Sequence, residues 1–330
     1  MDGRDIRIIA NLYWHQKAAI RIQNQLSPFT SIQRGVRQGC VLSPYLFNIY
    51  TEFIFRECEH LPGINMHGVN INNLRYADDT ALITDSQENL QNIVSKVKEE
   101  SAKAGLQMNV KKTKTMLISR KPENKKIEIK VDDEILQQVN KYIYLGTEIS
   151  EEAKSDKEIE KRSNIAKEKF SKLAGILTSK KLKINTKLRI VKCYIYSIFC
   201  YGCESWTLSK ALETKIEVFE MFCFRKIGNV KWSDRVTNDS VLEKLKTKRT
   251  LLSDIQKRKL RYFGHVKRRG NILSTAVEGK LEGRRPRGRP RNNWMTDVRE
   301  WTGLPASACT SQAADRSLWS VIARQPLQRR

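Results

Sequence analysis

The sequence has no apolar run of the ~20 residues that a membrane-spanning helix needs. Its most apolar stretch is CYIYSIFCYGC at positions 193–203, which falls well short of that length. The amino terminus, MDGRDIRIIANLYW, carries acidic residues and lacks the basic-then-apolar order of a secretion signal. These two absences exclude a membrane partner and predict a protein that stays inside the cell, in the nucleus or the cytoplasm.

An even, regularly spaced set of cysteines is also missing. The seven cysteines are odd in number and irregular in spacing, which is typical of free thiols in a reducing compartment. Four of them cluster and could hold zinc: Cys193, Cys200, Cys203 and Cys223. The apolar residues around them recur at helical spacing, which favours thiols packed in a core.

Acidic residues become scarce toward the end of the chain. Residues 1–100 carry 10 basic and 11 acidic side chains, residues 101–240 carry 29 and 18, and residues 241–330 carry 22 and 7. The net charge of +25 therefore lies in the later parts of the chain. It predicts a polyanionic partner, and a nucleic acid fits best. The alternative is a solvated basic surface that only keeps the protein soluble.

Length and apolar content predict more than one folding unit. A chain of 330 residues with 40% apolar side chains can form two or three subdomains. Segments 155–177, 184–206 and 210–228 place apolar residues at helical spacing, with lysine and arginine on the other faces. Such a basic bundle fits a domain that tracks a nucleic-acid backbone. The alternative is a packing domain with solvated lysines.

The first 150 residues mix helical and strand patterns, so the predicted fold class is α+β. Residues 4–24 have apolar side chains near helical spacing and predict a helix. Residues 29–33 suggest a strand, and residues 64–84 alternate as two strands, GINMHGVNI and LRYADDTALIT.

A glycine-containing loop precedes the next predicted helix. Ser43 and Pro44 predict the helix start, with serine as the N-cap and proline in the first turn. Arg37, Gln38 and Gly39 therefore lie just ahead of a helix N-terminus, where backbone N–H groups favour phosphate. The alternative is an ordinary loop that leads into a core helix.

Asp78 and Asp79 stand side by side at a predicted turn. An Asp-Asp pair at a turn is commonly turn chemistry, because aspartate bonds to the neighbouring backbone. The apolar flanks, residues 76–77 and 81–83, instead predict a buried hairpin, where two negative charges are costly unless divalent cations neutralise them. Together with the phosphate-friendly loop, the pair points to phosphoryl transfer by two metal ions.

Four motifs in this order resemble the reverse transcriptase of non-LTR, LINE-type retrotransposons. They are RGVRQGCVLSP (34–44) with Phe47-Asn48, YADD (76–79), GLQMNVKKTKTMLIS (105–119) and YLGTEIS (144–150). The later segments YGCESW (201–206) and NWMTDVREWTG (293–303) also resemble such elements. The resemblance implies a right-hand polymerase: a palm of β-strands backed by helices and followed by a helical thumb.

The matching positions imply roles. Asp78 and Asp79 would hold Mg²⁺ as the palm carboxylates, and Lys112 would lie close to the leaving pyrophosphate. For Lys112 the alternative is a lysine-rich surface before a strand. The nucleotide and template contacts would come from Arg37, Gln38, Gly39, Tyr76 and Ala77. The primer-gripping hairpin would carry Tyr144, Leu145 and Gly146.

The chain departs from the family in one carboxylate. The family supplies this carboxylate from a strand well upstream of the loop of Arg37, Gln38 and Gly39, here called the RQG loop. The acids before Arg37 in this chain are Asp2 and Asp5, which lie ahead of a helix. We therefore expect a partial palm at 1–150 that lacks the fingers and the first catalytic strand, with weak or absent Mg²⁺ binding and no DNA synthesis by this chain alone. We also expect an open sheet edge, marginal stability and self-association.

The remaining divisions are a helical thumb at 151–232 and a basic helical region at 233–330. The latter contains a Gly/Pro-interrupted basic run, residues 284–291, that can form neither helix nor sheet. It resembles an AT-hook, which would place its arginines in a narrow minor groove; a phosphate-binding linker and an inert linker are the alternatives. Its arginines are Arg284, Arg285, Arg287, Arg289 and Arg291.

Three functions remain open at this point. The first is a polymerase-derived protein that keeps the reverse transcriptase framework, with RNA, DNA and, if active, deoxynucleotides as partners. The second is a nucleic-acid-binding module whose palm is vestigial. The third is a translated fragment of a mobile element without a function of its own.

Overall fold

A computed structural model of the chain describes residues 2–119, 126–152, 154–279 and 293–327. The basic run 284–291, with Arg284, Arg285, Arg287, Arg289 and Arg291, lies outside the described residues. The fold is α+β, and it divides into two compact units. The amino-terminal unit comprises residues 2–64, 71–113 and 128–136, and the helical unit comprises residues 65–70 and most of the chain from 114 onward.

The elements up to residue 113 alternate short strands with three helices. In chain order they are α1 Gly3–Tyr13, β1 Lys17–Ala18, β2 Arg21–Ile22, β3 Gln25–Leu26, β4 Thr30–Ser31, α2 Ser43–Arg56, β5 Ile64–Met66, β6 Val69–Ile71, β7 Asn73–Tyr76, β8 Asp79–Leu82 and α3 Gln87–Lys103. The strands pair as two-stranded ribbons: β1 with β4, β2 with β3, β5 with β6 and β7 with β8.

Short strands follow, and then helices. The strands are β9 Lys114–Thr115, β10 Lys130–Val131, β11 Glu134–Ile135, β12 Gln137–Gln138, β13 Lys141–Tyr144 and β14 Thr147–Ser150. The helices are α4 Asp156–Lys172, α5 Ala174–Leu177, α6 Ile184–Ile190, α7 Ser197–Phe199, α8 Lys210–Ile227, α9 Asn238–Lys244, α10 Leu251–Arg269, α11 Ile272–Glu278, α12 Trp294–Thr302, α13 Ala306–Ala314 and α14 Arg316–Arg324. A π-helical segment, Val191–Tyr196, joins α6 to α7.

The predicted helix over residues 4–24 is wrong beyond Tyr13. The backbone is extended at Trp14, and His15 has a φ of +60°, so the helix cannot continue through these two residues. The residues that follow form β1 and β2 instead. The predicted strand at 29–33 is present as β4, which pairs with β1 in an antiparallel register.

Residues 64–84 form four strands in two hairpins, and the turn predicted at Asp78-Asp79 is present. Each predicted strand is a hairpin, because His67-Gly68 and Ala77-Asp78 reverse the chain within it. His67 and Gly68 both have a positive φ, as does Ala77, which suits tight two-residue turns. The aspartates predict the second of these turns, whereas the period-two pattern continues across His67-Gly68 and does not reveal the first.

The amino-terminal unit has small cores and much exposed apolar surface. One cluster joins α2 to α3 through residues that include Ile54, Phe55 and Ile93, and a second joins α3 to β10. Helix α1 buries no residue at all. Trp14 and Val41 are 71% and 80% exposed. A unit with so little buried apolar surface gains little hydrophobic stabilisation.

The helical unit has one large core. It runs from Ile159 in α4 to Ala323 in α14, and it surrounds three nearly inaccessible tryptophans, Trp206, Trp301 and Trp319. Because this core extends on both sides of residue 232, the division predicted there does not separate two cores. No helix among the described residues has the length and apolar character of a membrane span.

The prediction of packed core thiols is confirmed for three of the four clustered cysteines. Cys200, Cys203 and Cys223 are buried free thiols in the core of the helical unit, whereas Cys193 is exposed. Burial raises the pKa of Cys223 to about 12, which keeps it a neutral thiol at neutral pH.

Candidate functional site

Helix α2 carries the RQG loop at its amino-terminal end. Pro44 lies in the first turn, as predicted, but Ser43 is not the N-cap; that position is Leu42, which makes no side-chain cap bond. The Ser43 hydroxyl instead donates to the Arg37 carbonyl oxygen at 2.6 Å and pairs with the Tyr13 hydroxyl at 2.9 Å. The serine therefore closes the loop back onto its own backbone.

The residues of this loop are open to solvent. Arg37, Gln38 and Gly39 are all exposed, and Gly39 has a φ of +80°, a conformation that glycine adopts without a Cβ penalty. Cys40 is half-buried behind them and accepts a hydrogen bond from the Tyr13 hydroxyl at 3.4 Å. That bond and nearby backbone N–H groups lower the pKa of Cys40 to about 7.

Asp78 and Asp79 lie at the tip of the β7–β8 ribbon. Tyr76 pairs with Asp79, so Ala77 and Asp78 form the two-residue turn, and Ala77 has a φ of +52°. The expectation of a buried hairpin is wrong. Both aspartates are exposed, and Tyr76 and Leu74 are 66% and 50% exposed. The tip of the β7–β8 ribbon is therefore exposed to solvent. The two aspartates do not pay the cost of burial that would require a bound cation.

The ribbon is tied to helix α2 at its strand β7. Arg75 forms an ion pair of 2.9 Å with Glu52, and its guanidinium lies 4.7 Å above the centre of the Phe55 ring. The same helix thus carries the RQG loop at one end and contacts the ribbon near the other. At 1.5 Å per residue, the nine residues from Ser43 to Glu52 separate these two ends by about 14 Å along the helix.

Lys112 also belongs to the amino-terminal unit. It is exposed, and it lies in a turn that Asn109 closes by accepting the Lys112 and Thr113 backbone N–H groups. Met108, just before the turn, and Val110, within it, pack against the hydrophobic clusters that include residues of α3. The turn is thus anchored, while the ammonium group remains in solvent.

The carboxylates present do not make a cage for Mg²⁺. Two-metal chemistry needs several acidic oxygens around the ions. Among the described residues, no group of three or more His, Cys, Asp or Glu side chains lies together in a way that could hold a metal ion. Asp78 and Asp79 alone, on an exposed tip, therefore do not fit a resident two-metal site.

The hairpin with Tyr144, Leu145 and Gly146 lies in the helical unit. Tyr144 pairs with Thr147, and Leu145 and Gly146 form the turn with φ values of +48° and +77°. Both turn carbonyls accept hydrogen bonds from the helical unit: that of Leu145 from the Tyr201 hydroxyl at 2.8 Å, and that of Gly146 from the Arg162 guanidinium. Sequence reasoning missed both donors.

Comparisons with known proteins show what the segment with these motifs is similar to. The family model for reverse transcriptase, an RNA-dependent DNA polymerase, matches residues 3–149. Residues 3–149 belong to the reverse transcriptase family. This segment contains Asp78, Asp79, the RQG loop and the hairpin of Tyr144 to Gly146, so the family expected from those motifs is confirmed.

Relatives extend the similarity beyond the reverse transcriptase segment. A transposon-derived protein of Caenorhabditis elegans is 27% identical over 272 residues, which are 79% of this chain and 94% of that protein. A Drosophila melanogaster protein named as the RNA-directed DNA polymerase of transposon X-element is 23% identical over 86% of this chain. The RNA-directed DNA polymerase from mobile element jockey of Drosophila funebris is 25% identical over 68% of it.

The lengths of these relatives differ widely. The chain spans nearly all of the Caenorhabditis elegans protein, but only 32% of the X-element polymerase and 25% of the jockey polymerase. The chain is thus similar to a short transposon-derived protein along most of its length and to a part of the longer polymerases.

Proposed function

We propose that this protein derives from a non-LTR retrotransposon reverse transcriptase, keeps nucleic-acid binding, and does not synthesise DNA as this chain alone. The observation that carries the proposal is the exposed Asp78-Asp79 pair with no third acidic side chain grouped around it among the described residues. An in-line displacement of pyrophosphate needs the attacking and leaving oxygens to be stabilised together, and two neighbouring carboxylates on a turn do not supply that arrangement.

The remaining residues of the amino-terminal unit are proposed to hold nucleotide and template. Arg37, Gln38 and Gly39 are exposed on a loop ahead of the 14-residue helix α2, where the dipole of the helix favours a phosphate group. Tyr76 and Ala77 precede the aspartates on the ribbon, and Lys112 offers a cation from the same unit. In the helical unit, the hairpin turn of Tyr144, Leu145 and Gly146 is proposed to hold a primer strand.

The positive charge of the helical unit supports the proposal that it binds RNA or DNA, whether or not the chain is catalytic. Residues 241–330 carry 22 basic against 7 acidic side chains, and exposed arginines follow one face of α10: Arg258, Arg261, Arg268 and Arg269. Lysines and arginines that contact phosphates release condensed counterions, so the affinity falls steeply with salt. The second candidate function is therefore a nucleic-acid-binding module whose palm is vestigial.

The exposed apolar surface of the amino-terminal unit supports self-association. Trp14, Val41 and Phe53 are 71%, 80% and 67% exposed, and removing apolar side chains from water against another polypeptide is favourable. We propose that this unit associates with another copy, or with a polypeptide that completes the palm.

Complementation in trans separates the two candidate functions. The full chain would be mixed with a separate polypeptide that carries the upstream reverse transcriptase segment of a jockey-type polymerase, and extension of a DNA primer on an RNA template would be measured with Mg²⁺. Synthesis that Asp78→Ala abolishes would show that the palm carboxylates are still competent. If no synthesis appears but salt-dependent binding of the primer–template persists, nucleic-acid binding is the function that remains.

A further inference from the structure

Three side chains of the helical unit hold the turn between β13 and β14 in place. Tyr201 donates its hydroxyl to the Leu145 carbonyl oxygen at 2.8 Å, and Arg162 donates to that of Gly146. Glu158 accepts the Glu148 backbone N–H at 2.8 Å. Three backbone groups of one hairpin are thus taken by side chains from outside it.

These side chains also hold one another. The Arg162 Nε atom donates to Glu158 Oε1 at 2.6 Å, and the guanidinium lies 4.5 Å above the centre of the Tyr201 ring. The side chains of Arg162 and Glu158 are only 9% and 3% exposed. A buried ion pair is stabilising only if further hydrogen bonds satisfy both partners, and here the hairpin backbone supplies those bonds.

The fit between the turn and the helical unit is close. A Cβ atom added to Gly146 would lie 3.4 Å from the Tyr201 ring, and one added to Gly202 would lie 3.1 Å from Thr147 Oγ1. The YGCESW segment at 201–206 thus begins with the two residues that face the hairpin turn. This segment therefore packs against the hairpin turn through Tyr201 and Gly202, in addition to placing Cys203 in the core.

We infer that Arg162, Glu158 and Tyr201 are positioning residues that fix the β13–β14 turn in the orientation in which it meets a nucleic-acid strand. The inference rests on the proposed function, because it takes that turn as the primer-gripping element. The ring of Tyr201 is itself 49% exposed beside the turn, and exposed aromatic rings are the surfaces on which unpaired bases stack. The ligand class is a duplex with a recessed primer end.

A conservative variant separates positioning from folding. Tyr201→Phe removes one hydroxyl from a half-exposed residue and keeps the ring under Arg162. Its unfolding midpoint should match that of the wild type. The lost bond holds the Leu145 carbonyl oxygen, so the turn should open more easily, and hydrogen exchange at the nearby Glu148 amide should become about fivefold to tenfold faster. Tyr194→Phe, at a tyrosine that is 59% exposed on the same unit, is the matched control.

The binding test uses a DNA primer annealed to a longer RNA strand and, for comparison, the same duplex with blunt ends. By fluorescence anisotropy, the wild type should bind the recessed duplex more tightly. Tyr201→Phe should lose about fivefold of that preference, and Arg162→Lys, which cannot reproduce the planar donor fork, should lose at least as much. Tyr194→Phe should keep the wild-type ratio.

The outcomes distinguish the two levels of the proposal. If the wild type binds neither duplex, the proposed function is overturned, and the inference falls with it. If the wild type prefers the recessed duplex and Tyr201→Phe and Arg162→Lys leave that preference unchanged, the inference alone is overturned. Unchanged exchange at the Glu148 amide in both variants would also overturn it, because the side chains would then not hold the turn.

Discussion

A buried ion pair joins helices α10 and α12, and removing one of its charges is the sharpest test of the helical fold. Lys259 and Asp297 are both fully buried, and the Lys259 ammonium group donates to Asp297 Oδ2 and to the Trp206 carbonyl oxygen. The ammonium also lies 4.6 Å and 5.4 Å from the ring centres of Trp294 and Trp301. Asp297 in turn accepts the Leu208 backbone N–H at 3.0 Å.

Asp297→Asn should destabilise the helical unit by about 3–5 kcal/mol, because it leaves a buried ammonium group without its counter-charge. That is a large share of the roughly 5–15 kcal/mol that stabilises a typical domain. Urea unfolding followed by tryptophan fluorescence would measure the loss. Replacing both partners at once, with Lys259→Met and Asp297→Leu, should recover most of it, since neither charge then remains buried.

The neighbouring residue provides the control. Arg258, one position away on the same helix, pairs with Glu204 at 2.8 Å, but its side chain is 42% exposed. Arg258→Gln should therefore cost no more than about 1 kcal/mol. If Asp297→Asn is as mild as Arg258→Gln, the reasoning that burial makes the Lys259–Asp297 pair critical is refuted.

Three further predictions concern other parts of the chain. Gly264→Ala should destabilise the helical unit by about 1–3 kcal/mol in urea unfolding, because its Cβ would lie 2.3 Å from Trp319 Cδ1; unchanged stability would refute the close packing. Tyr13→Phe should raise the pKa of Cys40 from about 7 toward its ordinary value and slow its alkylation by iodoacetamide at pH 7; an unchanged rate would refute the hydrogen bond's role. Burial raises the pKa of Glu220, so its contribution to stability is complete at low pH and is lost as the pH rises through that pKa. The free energy of unfolding of the wild type should thus fall with pH relative to Glu220→Gln, and parallel pH profiles would contradict this.

Local signals in the sequence predicted the framework of the amino-terminal unit. Pro44 marked the first turn of helix α2, and the Asp78-Asp79 pair marked a turn between strands, because the residues that start helices and turns act through their own backbone. The predicted helix ran past Tyr13 to residue 24, because the apolar spacing continues there without a glycine or proline to interrupt it. The interruption comes from the backbone at Trp14 and His15.

Burial and long-range partners were harder to predict. The exposure of Asp78 and Asp79 depends on which elements cover the β7–β8 ribbon, and the residues within the ribbon do not encode that. The contact between Tyr201 and Leu145 joins residues 56 positions apart, so no local pattern could indicate it. The Glu158–Arg162 spacing of four residues is compatible with an ion pair along a helix, but only the folded chain places the hairpin turn against that pair.

We propose that this chain does not polymerise DNA by itself, because no third acidic side chain is grouped with Asp78 and Asp79 in the part of the chain that the structure describes. The most direct test is extension of a labelled DNA primer on an RNA template by the purified chain with Mg²⁺, and in parallel with Mn²⁺, comparing the wild type with Asp78→Ala. We predict no nucleotide incorporation by either protein with either metal. Incorporation by the wild type that Asp78→Ala abolishes would contradict the account.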